Sequence, residues 1–214
     1  MTVPVTFRNN SERITVNYSY SEVASNTGMV EYNLLNEEDS VGKDYIISRD
    51  SLRSKDIEYS NASTSTQTTD HDYDLTIFQS NTTIRGTALI TGSFGGNMGV
   101  GTTADAKIKV YVRKWDGSTE TEIGNNTTHT LSCLAAVKTQ TSFTLAIDLT
   151  ETKFKKGDNL RITIEASLTI TAGSNSSELF YGHDPVNRDG TYLIPSSDTT
   201  TTQLKAYIPY KLQA

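Results

Sequence analysis

Asp70-His71-Asp72-Tyr73-Asp74 is the densest run of chemically capable side chains in this sequence. Three carboxylates at i, i+2 and i+4 resemble the opening of a calcium loop, because a hard cation collects several oxygens. The central glycine and closing glutamate of such a loop are absent, and the run leads straight into a strand-like segment. In an extended chain Asp70, Asp72 and Asp74 share one face, where like charges repel unless a cation lies between them. The plain reading is a solvated loop entering a strand; a bound cation is the competing one.

A second group is Phe180-Tyr181-Gly182-His183-Asp184-Pro185-Val186-Asn187-Arg188-Asp189-Gly190. His183 and Asp184 could do acid–base work if a nucleophile faced them. The segment reads better as a structured contact loop, with Pro185 fixing one φ and Arg188 able to pair with a carboxylate. His71, His129 and His183 lie far apart, with no second histidine or cysteine at ligand spacing, so no zinc site is expected. No serine sits in a nucleophile elbow, and no phosphate-binding loop with its lysine is present. Gly92 to Gly101 is glycine-rich but reads as a flexible loop. Cys133, the single cysteine, lies among Leu131, Leu134 and Ala135 and reads as a buried thiol. The expectation from these residues is a chain that is not an enzyme and takes no cofactor. Tyr111, Trp115 and Tyr207 could stack on sugar rings, or could be half-buried strand residues.

The elements that must position these groups are strands. Leu160, Ile162, Ile164, Ala166, Leu168 and Ile170 alternate with Arg161, Thr163, Glu165, Ser167 and Thr169, one dry face and one wet face with a period of two. The same alternation marks Ile14 to Tyr20, Val30 to Leu34, Ile84 to Ile90, Ala106 to Val112, Phe143 to Leu149 and Leu204 to Tyr210. Shorter candidates are 45–48, 57–59, 75–78 and 179–181. Residues 21–26 have room for one helical turn. Asp116-Gly117 supplies the positive φ of a tight hairpin, and Gly157 bends the chain between two strands. Residues 64–70 and 196–202 read as polar connections.

About ten strands with one apolar face each must bury those faces against one another. The predicted fold is all-β, an antiparallel β-sandwich, with long links that favour Greek-key or jelly-roll crossing over an up-and-down barrel. Residues 1–13 read as an extended N-terminal segment and 14–214 as one domain, with the C-terminal strand anchoring the core. The chain has 214 residues and a net charge of −6, which argues against a nucleic-acid partner. No run nears the ~18 apolar residues of a membrane span, and the start lacks the pattern of a secretory leader. Synthesis in a cytoplasm is therefore expected, with the Asn-x-Ser/Thr sites unmodified.

Tyr18-Ser19-Tyr20-Ser21-Glu22-Val23-Ala24-Ser25-Asn26-Thr27-Gly28-Met29-Val30-Glu31-Tyr32 resembles the opening of virion structural proteins of tailed bacteriophages, where two aromatic strands flank an Ala-Ser-x-Thr-Gly turn. Lys155-Lys156-Gly157-Asp158-Asn159-Leu160-Arg161-Ile162 is similar to the turn before a central strand of jelly-roll modules, and the 180–190 loop followed by a terminal strand completes the likeness. The resemblance implies a virion protein, a capsid decoration or minor capsid protein, made in the host cytoplasm. It also implies an oligomer, with a trimer favoured. Its partner would be the major capsid protein. The contact residues expected are Val3, Phe7 and Arg8 at the N-terminus, Phe94 and Met98 in the glycine-rich stretch, and His183, Asp184 and Arg188 in the late loop. The alternative is a carbohydrate- or receptor-binding module of a phage tail or fibre.

Overall fold

The computed structural model describes residues 27–38, 43–50, 58–182 and 203–211. The expected strand at 14–20 and the possible helical turn at 21–26 lie outside them.

The described residues are all-β, in twelve strands: β1 (Thr27–Glu38), β2 (Lys43–Ser48), β3 (Glu58–Ser63), β4 (Gln67–Leu75), β5 (Thr82–Met98), β6 (Thr103–Trp115), β7 (Glu120–Thr127), β8 (Leu131–Cys133), β9 (Lys138–Phe154), β10 (Asn159–Ala172), β11 (Ser177–Gly182) and β12 (Lys205–Lys211). Period-two alternation is what forms them. In β10, Leu160, Ile162, Ile164, Ala166 and Leu168 are fully buried while Arg161, Glu165 and Ser167 stay partly wet. In β9, Phe143, Leu145, Ile147 and Leu149 are buried between exposed neighbours.

Hydrogen bonding joins the strands in the order β3-β11-β5-β12-β1-β2-β4-β10-β6-β7, with β9 on the free edge of β5 and β8 beside β6. Every pair is antiparallel except β2 and β4, which run parallel over a short stretch. The neighbours are far apart in sequence (β1 with β12, β5 with β11 and β12, β4 with β10), as the expected Greek-key crossing requires. The sheet folds back so that its apolar faces meet as a sandwich. Gly96 on β5 faces the Cys133 sulfur and Leu168, and Asn126 on β7 donates to the Ala146 carbonyl on β9 at 2.7 Å. β12 lies inside the sheet between β5 and β1, with Leu204, Ala206 and Ile208 buried, so the C-terminal strand is part of the core.

Both predicted turns form. Asp116 Oδ1 accepts the Ser118 and Thr119 amides at 3.0 and 2.8 Å, and Gly117 takes a φ of +93° in the β6–β7 hairpin. Gly157 takes +98° between β9 and β10.

Three local expectations are corrected. The candidate strand at 75–78 does not form: β4 stops at Leu75, and the Phe78 amide instead donates to the Asp158 carbonyl in the turn at 2.8 Å. Residues 67–70 were expected to lie in a connection, but they are the first half of β4, paired with Glu165 to Leu168 of β10. The stretch from Gly92 was expected to be a flexible loop, yet Gly92 to Met98 is the second half of β5, buried except at Asn97, paired with β9 up to Asn97 and with β11 from Phe94 on. The glycines are there for closeness. A Cβ on Gly95 would stand 2.1 Å from the Thr139 carbonyl oxygen and 2.6 Å from the Phe180 ring, and one on Gly92 would meet Phe143 and Leu204 below 3 Å.

Candidate contact surfaces

Of the residues expected to touch a partner, Val3, Phe7, Arg8, His183, Asp184 and Arg188 lie outside the described residues. Phe94 and Met98 are corrected: they are 1% and 3% exposed and belong to the core, because β5 turns both inward where its glycines let the strands close in.

The aspartates of the opening run do share one face, the outer face of β4, but a cation from the chain itself lies among them. Arg161 on β10 grips Asp74 with two bonds, Nε to Oδ1 at 2.7 Å and Nη2 to Oδ2 at 2.6 Å. Its Nη1 lies 3.3 Å from Asp72 Oδ2 and donates to Glu120 on β7. Arg113 on β6 donates to Glu120 at 3.1 Å and to the Thr163 hydroxyl at 2.9 Å, and Thr163 donates to Asp72 at 2.6 Å. The register places these residues side by side: Arg161 pairs with both Asp74 and Arg113, and Thr163 with Asp72. Bonding to Asp74 raises the Arg161 pKa further, so its charge is permanent. The run is therefore part of a paired strand and not a solvated loop, and the cation that the competing reading asked for is supplied to Asp72 and Asp74 by Arg161. Among the described residues no group of His, Cys, Asp and Glu is arranged to hold a metal ion.

Two of the three rings considered for sugar stacking, Tyr111 and Trp115, lie on β6, while Tyr207 lies on β12. Arg161 lies over Trp115 at 4.9 Å, and Tyr111 has Lys109 at 4.4 Å and Arg113 at 4.5 Å from its ring centre. Cations thus occupy ring surface that a sugar would need.

A polar aromatic cluster bridges the two layers. His71 Nδ1 and the Tyr181 hydroxyl are 2.5 Å apart, Tyr181 and Tyr73 hydroxyls 3.2 Å, and Tyr45 stacks on His71 at 4.3 Å. Burial, then Tyr181 nearby, pushes the Tyr73 phenol well above its ordinary pKa, so it stays neutral. Sequence reasoning missed this cluster; the inward phase of β4 (His71, Tyr73) was hidden behind the aspartates that alternate with it.

One end of the sandwich is different in kind. The turn after β5 and the turn after β8 are tied together, with Ala136 N donating to Gly99 O at 3.3 Å and Met98 N to Val137 O at 3.3 Å. Asn175 adds a clamp, its amide donating to the Thr102 hydroxyl at 2.9 Å and its side chain to the Val100 carbonyl. On this tied tip Val100, Leu134 and Val137 are 75%, 61% and 46% exposed. Among the described residues Ile77 alone joins them as a large exposed aliphatic. Of the glycine-rich stretch expected to meet a partner, the Asn97 side chain and the turn at 99–101 are open to solvent, and the rest is buried.

No family model matches the chain, and no curated protein does. Solved structures similar to it include a CocE/NonD family hydrolase from Staphylococcus aureus, at 9% identity and TM-score 0.43 over 84% of this chain and 36% of that one. An alpha-amino acid ester hydrolase is similar at 7% identity and TM-score 0.41, over 67% of this chain and 25% of that one. The structure of infectious bursal disease virus Gx strain is similar at 13% identity and TM-score 0.29, over 94% and 55%. The chain spans about a third or less of the hydrolase chains. The expectation that the chain is not an enzyme is corrected by these neighbours, which are hydrolases. At such identities and TM-scores they assign no activity or substrate to this chain.

Proposed function

We propose that the chain is a virion structural protein of the tailed-phage kind, a capsid decoration or minor capsid protein that docks on the major capsid protein through the Val100–Leu134–Val137 tip. The tip carries the reading. Three exposed aliphatics on turns held by cross-bonds make a preorganised apolar contact, which costs little ordering on association. The resemblance of residues 18–32, 155–162 and 180–190 to virion proteins supports the same reading, as does an all-β body braced by a surface charge network. Assembly as a homotrimer completes the proposal, and sedimentation equilibrium reads it directly.

The chain is expected to co-sediment with shells assembled from its cognate major capsid protein. Val100→Asp combined with Leu134→Asp is expected to abolish co-sedimentation, with fold stability altered by no more than about 0.5 kcal/mol because both side chains are exposed. Full binding by the double variant removes the tip from the interface. A parent chain that ignores the shells removes the reading itself.

A further inference from the structure

We infer that a cleft at the opposite end of the sandwich, where β5 begins and β9 ends, binds a small oxyanion-bearing molecule: a phosphate or carboxylate on a body of monosaccharide size. The cleft is about 320 Å³ and is lined by Asn81, Thr82, Thr83, Lys153, Phe154 and Lys155. That volume is at the small end of ligand sites. No carboxylate lines it. Phe154 is fully buried and forms an apolar floor, and the β5–β9 register sets Thr83 opposite Lys153 and Thr82 opposite Phe154. Lys156 follows at once, its amide donating to Asn81 Oδ1 at 3.2 Å and tying the turn to the cleft wall.

Several basic side chains elsewhere in the described residues have carboxylate partners, although Lys107 and Lys109 on β6 have none within ion-pair distance. Arg85 pairs with Glu151 at 3.8 Å, Arg113 with Glu120 at 3.1 Å, Lys114 with Asp158 at 2.8 Å and Lys205 with Glu31 at 2.6 Å. Among the described residues the ammonium groups of Lys153, Lys155 and Lys156 pair with no carboxylate. In a chain of net charge −6, three uncompensated cations within four residues are a local feature and not an overflow of basic residues. Lysine, threonine and asparagine side chains lining one cleft are the residue types whose donors an oxyanion takes. Nucleic acid fits poorly, since the acidic remainder of the chain repels a polyanion.

The test is titration of the isotope-labelled full chain, followed by its backbone amide resonances. Galacturonate and glucose 6-phosphate are expected to shift the signals of residues 81–83 and 153–156 saturably, while glucose does not. Lys153→Gln with Lys155→Gln is expected to weaken both at least tenfold. Inorganic phosphate separates the sources: binding as tight as the sugar phosphate means the free ion suffices, and weaker binding means the sugar body is held too. Both results support the site. Three results overturn it: equal response to glucose, unsaturating shifts scattered over the surface that report an adventitious ion only, or unchanged affinity in the double variant. Tighter binding of a short DNA duplex at the same signals would also overturn it in favour of nucleic acid.

Discussion

The outer face of β4, β10, β6 and β7 and the tip beyond β5 and β8 are both surfaces, yet they solve opposite problems. On the face, Asp72, Asp74 and Glu120 surround Arg161 and Arg113, and each charge has its partner on a neighbouring strand. On the tip, Val100, Leu134 and Val137 stand in water although the backbone beneath them is bonded. Density of charged residues attracts attention in a sequence, but a charge matched across a strand pair is spent on holding strands in register. Apolar side chains left exposed on a braced turn are the stronger sign of a surface that meets something else. The lesson is to ask of each surface what its groups already touch.

Substitutions on the two surfaces have separable effects. The largest effect is expected at Gly95, on which the tip end of β5 rests. Gly95→Ala sets a methyl against the Thr139 carbonyl and is expected to cost about 3 kcal/mol or more, read by chemical denaturation. Retention of parental stability there would mean β5 and β9 are not packed this closely. Next is Arg161→Ala, which leaves Asp72, Asp74 and Glu120 facing one another. A loss of about 2 kcal/mol is expected, discounted for the partial exposure of the carboxylates. If Asp74→Asn in that background restores stability, repulsion among the aspartates was the cause.

A smaller effect is expected from acid. Burial pushes the Asp158 carboxyl up, but bonds from Lys114 and the Lys155 amide outweigh it and hold its pKa below the ordinary value. Stability from a depressed carboxylate is present above the unfolded pKa and is lost as pH falls through the folded one. The drop in melting temperature between pH 6 and pH 3 is therefore expected to be smaller in Asp158→Asn than in the parent; an equal drop assigns the acid sensitivity elsewhere. The smallest effect is none at all. Burial first, then Asp105, raises the Cys133 thiol to about 11, so the folded chain is expected not to react with a thiol reagent at neutral pH and to react fully once denatured.

Much of the fold was legible in advance. The strands with clean alternation (β6, β9, β10 and β12) appear where the pattern put them, as do the turns at Gly117 and Gly157. Missed strands had no such pattern. β7 carries Ile123 alone among polar neighbours, and it is a strand because β6 offers it an edge. The glycine-rich half of β5 reads as a loop because glycine lacks strand propensity, whereas here its lack of a side chain is what lets β9, β11 and Phe180 approach. The candidate sites were less legible. Phe94 and Met98 fell to the core with that strand, and the tip went unseen because Leu134 and Val137 look like core residues in any reading of composition.

Alternation at successive positions, with breaks at Asp116-Gly117 and Gly157, is enough to specify a layered β protein, and the apolar neighbours of Cys133 are enough to specify a buried thiol. Which strands become neighbours is settled in three dimensions, and with it that Arg161 answers Asp74, eighty-seven residues earlier, while Lys153 and Lys155 find no acid. The reason is physical. A side chain's face follows from its own strand's period of two, but its partner is set by sheet order and register, which depend on how all the dry faces close together at once.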